Sequence, residues 1–212
     1  MSEPIKITPP RIARATFHIE GIAPLMTARF SKKAEIKAGM EEGGSSRSKR
    51  RRDPRDFDAD ARGAAHIAAE GWYGIHAAAF RNAAISACRL VGFKMTLAKL
   101  SIFIEPDGYD EEEGTPLVKL IVPEPRTSIM HVRNATGVID LRARPMWAPG
   151  WKAEVRIAWD LDQFSLTDIS NLMARVGQQV GVGEGRPDSR ESAGLGYGLF
   201  SVSQVMVKEG IK

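Results

Sequence analysis

The sequence predicts an α+β fold, and three observations carry that prediction. Apolar residues alternate along 11–20, 151–160 and 199–207, the period of half-buried strands. They recur every three or four positions along 76–91 and 166–179, the period of helices with one buried face. The two helical stretches are separated by strand-like segments, so the order runs strand, helix, strand, further strands, helix, strand.

In the first strand Phe17 and Ile19 point to the core while His18 and Glu20 point outward. Residues 21–30 are mixed, and Pro24 interrupts regular structure there. Segment 31–62 carries Gly39, Gly43, Gly44, several serines, a basic cluster and Pro54. It offers little apolar area to bury, so its centre is expected to be mobile when no partner is bound.

Residues 64–91 read as helix, interrupted near Gly71 and Gly74. In the stronger half Ala77, Phe80, Ala84, Cys88 and Val91 share one face, which makes Cys88 a small core residue. Trp72 and Tyr73, just before it, either cover the core edge or present a stacking surface. Residues 94–105 form a strand candidate. The acidic run Asp107, Asp110, Glu111, Glu112 and Glu113 reads as a solvated loop, because no calcium-loop pattern accompanies it.

Residues 116–122 and 126–133 are short strands separated by Pro123 and Pro125. Residues 136–146 and 151–160 are expected to form a hairpin across the WAPG turn at 147–150. That pairing would bring Arg142, Arg144 and Arg156 together, as a phosphate-binding array or as ordinary solvent-facing residues. The second helix has Ser165 as N-cap and Asp168 at N3, and its stripe runs Leu166, Ile169, Leu172, Met173, Val176 and Val180. The element order is compatible with a ferredoxin-like, RRM-like β-α-β-β-α-β core with extra strands, in one α+β domain over 1–212.

No apolar run approaches the roughly 20 residues that cross a bilayer, and the polar, proline-broken start does not read as a signal peptide. The single cysteine excludes an intramolecular disulfide and a thiolate metal cluster, which points to a reducing cytoplasm. The net charge is +4, and the segment 45–56 accounts for all of it. There Arg47, Lys49, Arg50, Arg51, Arg52 and Arg55 face only Asp53 and Asp56. Charge so concentrated argues for a local anionic partner.

The loop 181–198 is rich in glycine and arginine, with Gly181, Gly183, Gly185, Gly194, Gly196 and Gly198 around Arg186 and Arg190. Glycine permits positive φ and close backbone approach, so such a loop can bring N–H groups to an anionic backbone. It follows a helix, whereas dinucleotide and nucleoside-triphosphate loops follow a strand and open a helix. No cofactor is therefore expected. His18, His66, His76 and His131 lack metalloprotease spacing, and no G-x-S-x-G elbow occurs. His131 or His18 would be the general base were the protein a nuclease.

GVGEGRPDSRESAGLGYGLFSV at 181–202 and GWYGIHAAAFRNAAISACR at 71–89 resemble the repeat-associated RNA-binding superfamily of CRISPR effector complexes. The likeness is to its backbone subunits, which polymerise along guide RNA; in size the chain is also similar to small phage-encoded proteins. The resemblance implies a ferredoxin-like fold, RNA binding and oligomerisation. The tail here is longer and more acidic than the compact glycine run of that family.

These readings converge on a non-enzymatic, oligomeric binder of single-stranded nucleic acid, RNA ahead of DNA. Arg47, Lys49, Arg50, Arg51, Arg52 and Arg55 would neutralise phosphates. Arg186 and Arg190, with the N–H groups around Gly183 and Gly185, would hold the backbone. Trp72 and Tyr73 would stack on bases. The alternatives are a structural or assembly protein, possibly viral, and an RNA-processing nuclease.

Overall fold

The structure is a computed structural model that describes residues 7–29, 56–133, 139–189 and 194–208; the side chains of 132, 133, 139, 140 and 208 are left out. Its strands are β1 (Ile12–Gly21), β2 (Leu25–Met26), β3 (His66–Ile67), β4 (Tyr73–His76), β5 (Ile102–Glu105), β6 (Gly108–Tyr109), β7 (Pro116–Ile121), β8 (Arg126–Arg133), β9 (Ile139–Trp147), β10 (Lys152–Asp160) and β11 (Phe200–Lys208). Its helices are α1 (Phe57–Gly63), α2 (Ala77–Ala87), α3 (Met95–Ser101) and α4 (Leu166–Arg175).

The main sheet contains the antiparallel neighbours β11, β1, β10 and β5 in that order. Helix α2 lies between β1 and β5 in the chain, and α4 between β10 and β11, so this part is compatible with a ferredoxin-like core. Strand alternation makes the core. Ala15, Phe17 and Ile19 of β1 and Ala153, Val155, Ile157 and Trp159 of β10 are buried together with Phe80 and Ala84 of α2 and Ile169, Leu172 and Met173 of α4. Cys88 is in the same cluster, and burial raises its thiol pKa, as suits an inert core residue.

The opposite face of the main sheet is polar and carries ion pairs: Arg14 with Glu105 at 2.8 Å, and Arg156 with Asp107 at 2.8 Å. The sheet continues through β7, β4 and β3. A separate sheet has the order β2-β9-β8.

Helix α4 begins as its sequence predicts. Ser165 and Asp168 form a reciprocal capping box, each side chain accepting from the other's backbone N–H. A π-turn over Val176–Val180 ends it and leads into the glycine loop.

Four sequence expectations are corrected. Residues 64–76 are not helical: the alanine-rich run favours helix locally, but β3 pairs β4 and β4 pairs β7, so tertiary pairing overrides propensity. Residues 95–101 are helix, not strand, since good helix formers fill them and only β5 is needed opposite β10.

Residues 136–146 and 151–160 do not form a hairpin. β9 pairs β8 and β2, whereas β10 pairs β1, β5 and β7, and the turn at 147–150 carries the chain from one sheet to the other. The packing of two tryptophans explains this. Trp147 fills the small sheet and bonds the Pro123 carbonyl at 3.0 Å, while Trp151 lies over Gly21, where a Cβ would stand 2.0 Å from its Nε1. Gly150, at φ +97°, permits the turn between them. Arg156 therefore lies in a different sheet from Arg142 and Arg144.

The acidic run is not merely a solvated loop. Asp110 is 3% exposed and organises the turn, its Oδ1 accepting from the N–H groups of Glu112 and Glu113 at 3.0 and 2.9 Å. Among the described residues no helix is long and apolar enough to cross a membrane.

Candidate nucleic-acid interface

The register of the small sheet sets the site. Arg142 stands opposite Met130, Arg144 opposite Ser128, and Met146 opposite Arg126. Directly opposed residues share a face, and so do alternate residues of one strand, so Arg126, Arg142 and Arg144 lie on one face. The other face holds buried Ala143 and Trp147 and is covered by α1, where Asp58 accepts from the Thr127 hydroxyl at 2.5 Å.

The glycine loop reaches the arginine face across the β2 edge. The Glu184 N–H bonds the Met26 carbonyl at 2.8 Å, and the Glu184 carboxylate takes Arg144 Nε at 2.7 Å. Such an approach needs glycine. At Gly183, φ +78°, a Cβ would stand 2.4 Å from the Met26 oxygen. Farther along, Asp188 is held by Arg89 at 2.6 Å and by the Ser86 hydroxyl. Two of the loop's acidic groups are thereby paired with arginines from outside it.

Arg186 folds back on the loop and donates to the Gly183 carbonyl at 3.0 Å. The N–H groups of Val182, Glu184, Tyr197 and Gly198 bond backbone carbonyls. The loop is thus laced to itself and to β2, with Gly183 and Gly185 at its turns. Arg190 lies outside the described residues, as do Arg47, Lys49, Arg50, Arg51, Arg52 and Arg55. The residues that flank the basic segment are described: Arg29 donates its N–H to the Ala64 carbonyl just past α1, and Asp56 caps the start of α1.

Trp72 and Tyr73 point to opposite faces at β4. Trp72 lies against Gly74 and Gly108, where added Cβ atoms would stand 3.0 and 2.7 Å from its ring, and the Lys119 ammonium is 5.8 Å from its centroid. Tyr73 meets Trp147 edge to face at 5.5 Å and donates its hydroxyl to Glu124 at 2.6 Å. Burial first, then Glu124, pushes the Tyr73 phenol up to about 12. His18 lies on β1 and His131 on β8, in different sheets.

Sequence reasoning missed two groupings. Arg126 carries no motif, and only the β8–β9 register joins it to Arg142 and Arg144. The second grouping lies on β3, β4 and the acidic turn. The rings of His66 and His76 are 4.0 Å apart, His76 Nε2 is 2.9 Å from the Thr115 hydroxyl, and Glu113 lies 3.7 Å from His76. Arg29 binds Glu112 at 2.5 Å and Glu113 at 3.1 Å.

Burial first, then the neighbouring His76, holds the His66 pKa down at about 4, against the opposing effect of Asp110 and Glu113. Burial alone would raise the Asp110 carboxyl. The N–H groups of Glu113 and Glu112 and the Arg29 charge outweigh it and leave Asp110 below the usual range.

No family model matches the sequence, and no curated protein matches it. Among solved structures, a chain in the cryo-EM structure of the Type III-B Cmr-beta bound to cognate target RNA is similar, with a TM-score of 0.51 at 13% identity. The match covers 92% of this chain and 60% of that one, so the protein spans about three fifths of its neighbour's length. This distant likeness is one of fold.

Proposed function

We propose that the protein is a non-enzymatic, oligomeric binder of single-stranded nucleic acid, RNA ahead of DNA, that grips the sugar-phosphate backbone on the arginine face of the small sheet. The observation that carries this reading is the shared face of Arg126, Arg142 and Arg144 beside the loop that bears Arg186. Glu184 is the carboxylate seen bonded to that face. Guanidinium groups on adjacent strands suit successive phosphates, which are recognised without regard to sequence.

Arg47, Lys49, Arg50, Arg51, Arg52, Arg55 and Arg190 add to this grip in the proposal. Trp72, with Lys119 beside its ring, is the proposed stacking residue, and Gly183 and Gly185 shape the loop against the strand. Tyr73, on the opposite face, packs against Trp147 and bonds Glu124. The fold-level neighbour is a complex bound to target RNA, which favours RNA over DNA. Repeated copies along a strand would multiply a modest affinity per copy.

Fluorescence anisotropy with labelled single-stranded RNA, single-stranded DNA and duplex at two salt concentrations tests the proposal. Tight, sequence-independent and salt-sensitive binding of the single strands is expected. Serine at Arg47, Lys49, Arg50, Arg51 and Arg52 should weaken every sequence alike and flatten the salt slope. Absence of binding to all three at low salt overturns the reading and leaves a structural or assembly role.

A further inference from the structure

We infer that His66, His76 and Glu113 bind a divalent transition-metal ion of the zinc class. Each side chain offers one ligand atom, and the three atoms lie within 4.8 Å of one another. Ligands on one tetrahedral zinc, at bond lengths of about 2.0–2.2 Å, stand roughly 3.3 Å apart. Closing the difference takes a shift of about 1 Å, within reach of rotamer adjustment at the half-buried His76 and Glu113.

A second, independent observation points to the same ion. The side chains of His66 and Asp110 are 6% and 0% exposed, yet His66 Nδ1 and Asp110 Oδ2, 3.5 Å apart, make no hydrogen bond. Buried polar groups in proteins are nearly always satisfied, so a facing pair left open at 3.5 Å marks a place where a bound ion would fix the histidine tautomer and draw the two groups into register. A metal resolves both. If it takes His66 Nε2, the ring proton must sit on Nδ1 and is donated to Asp110, the usual carboxylate support of a ligating histidine. If it takes Nδ1, Asp110 Oδ2 becomes a further ligand.

Charge and donor type agree. Asp110, Glu112 and Glu113 all contact the single guanidinium of Arg29, which leaves negative charge for a cation. Two imidazoles with a carboxylate favour zinc-like ions over calcium or magnesium, which take all-oxygen shells. The exposed side of His76 and Glu113 gives the ion its entry and leaves a position for water. The bound ion would tie the β3–β4 hairpin to the acidic turn, and through Arg29 to the start of the basic segment. The site stands independently of nucleic-acid binding.

The test is titration of the chelator-stripped full chain with zinc chloride, by calorimetry and elemental analysis, beside the half-exposed variants His76→Gln and Glu113→Gln. One zinc per chain is expected, with each substitution weakening binding at least about tenfold. Cobalt(II) should give the wild-type protein a visible absorption spectrum that zinc abolishes, a readout that needs no variant to fold. No saturable uptake, or uptake that either substitution leaves unchanged, overturns the site.

Discussion

A Cβ on Gly198 would stand 1.7 Å from the carbonyl oxygen of Val182, while the Val182 N–H bonds the Gly198 carbonyl at 3.0 Å. This contact closes the long loop between α4 and β11 at its base. It requires a residue without a side chain, at φ +69°.

Gly198→Ala should therefore cost more than the conformational penalty alone. Gly196 is the internal control, with φ +73° and nothing within 4 Å of an added Cβ. Gly196→Ala should cost about 1–2 kcal/mol from the left-handed backbone. Gly198→Ala should exceed that by at least about 1 kcal/mol, because backbone must move to relieve the clash. Urea unfolding of the two variants measures the difference; equal losses would mean that the Val182 contact is not as described.

Arg144 and Glu184 should behave as a pair in nucleic-acid binding. Both are mostly buried, with side chains 19% and 22% exposed. Arg144→Ser leaves the Glu184 carboxylate uncompensated on the proposed binding face, so it should weaken RNA binding more than Arg142→Ser does. Glu184→Gln should tighten binding by freeing Arg144 for phosphate. Arg142→Ser should reduce the salt slope by about 0.7, the value for one phosphate contact on a single strand. Anisotropy across salt concentrations checks all three, and a looser complex for Glu184→Gln would argue against this face.

Trp72 and Tyr73 separate stacking from support. Trp72→Ala should weaken single-strand binding by about 1–3 kcal/mol, the cost of one lost base–aromatic stack. Tyr73→Phe should leave binding unchanged and lower stability by about 1 kcal/mol through loss of the 2.6 Å bond to Glu124. Binding and urea unfolding of both variants provide the check. A binding loss for Tyr73→Phe as large as that for Trp72→Ala would remove the distinction.

The parts of this fold that are legible in the sequence are those with a local cause. Phe17 and Ile19 alternate with polar neighbours, and Ser165 stands three residues before Asp168, so β1 and the start of α4 follow from adjacent residues. The parts that are not legible depend on distant partners. His66 and His76 sit in an alanine-rich stretch that reads as helix until β7 is placed beside β4. Asp110 resembles its exposed acidic neighbours until Arg29 and His66 close over it. Arg126 joins Arg142 and Arg144 through strand register, which no spacing along the chain encodes.

The capping box supplies a prediction with a definite pH signature. Hydrogen bonds from the Ser165 hydroxyl and then its N–H hold the Asp168 carboxyl below the usual carboxylate range. A carboxyl whose folded pKa is depressed contributes stability above its unfolded value of about 3.9, and that contribution fades as pH falls through the lower folded value. Asp168 is well exposed, so solvent screening keeps the effect small. Asp168→Ala should cost about 0.5–1 kcal/mol at pH 7, within the range of capping substitutions. The gap from wild type should narrow as the pH falls below about 4. Urea midpoints at pH 7, 5 and 3, with a stability gap that stays constant over this range, would show that the charged carboxylate contributes nothing to the cap.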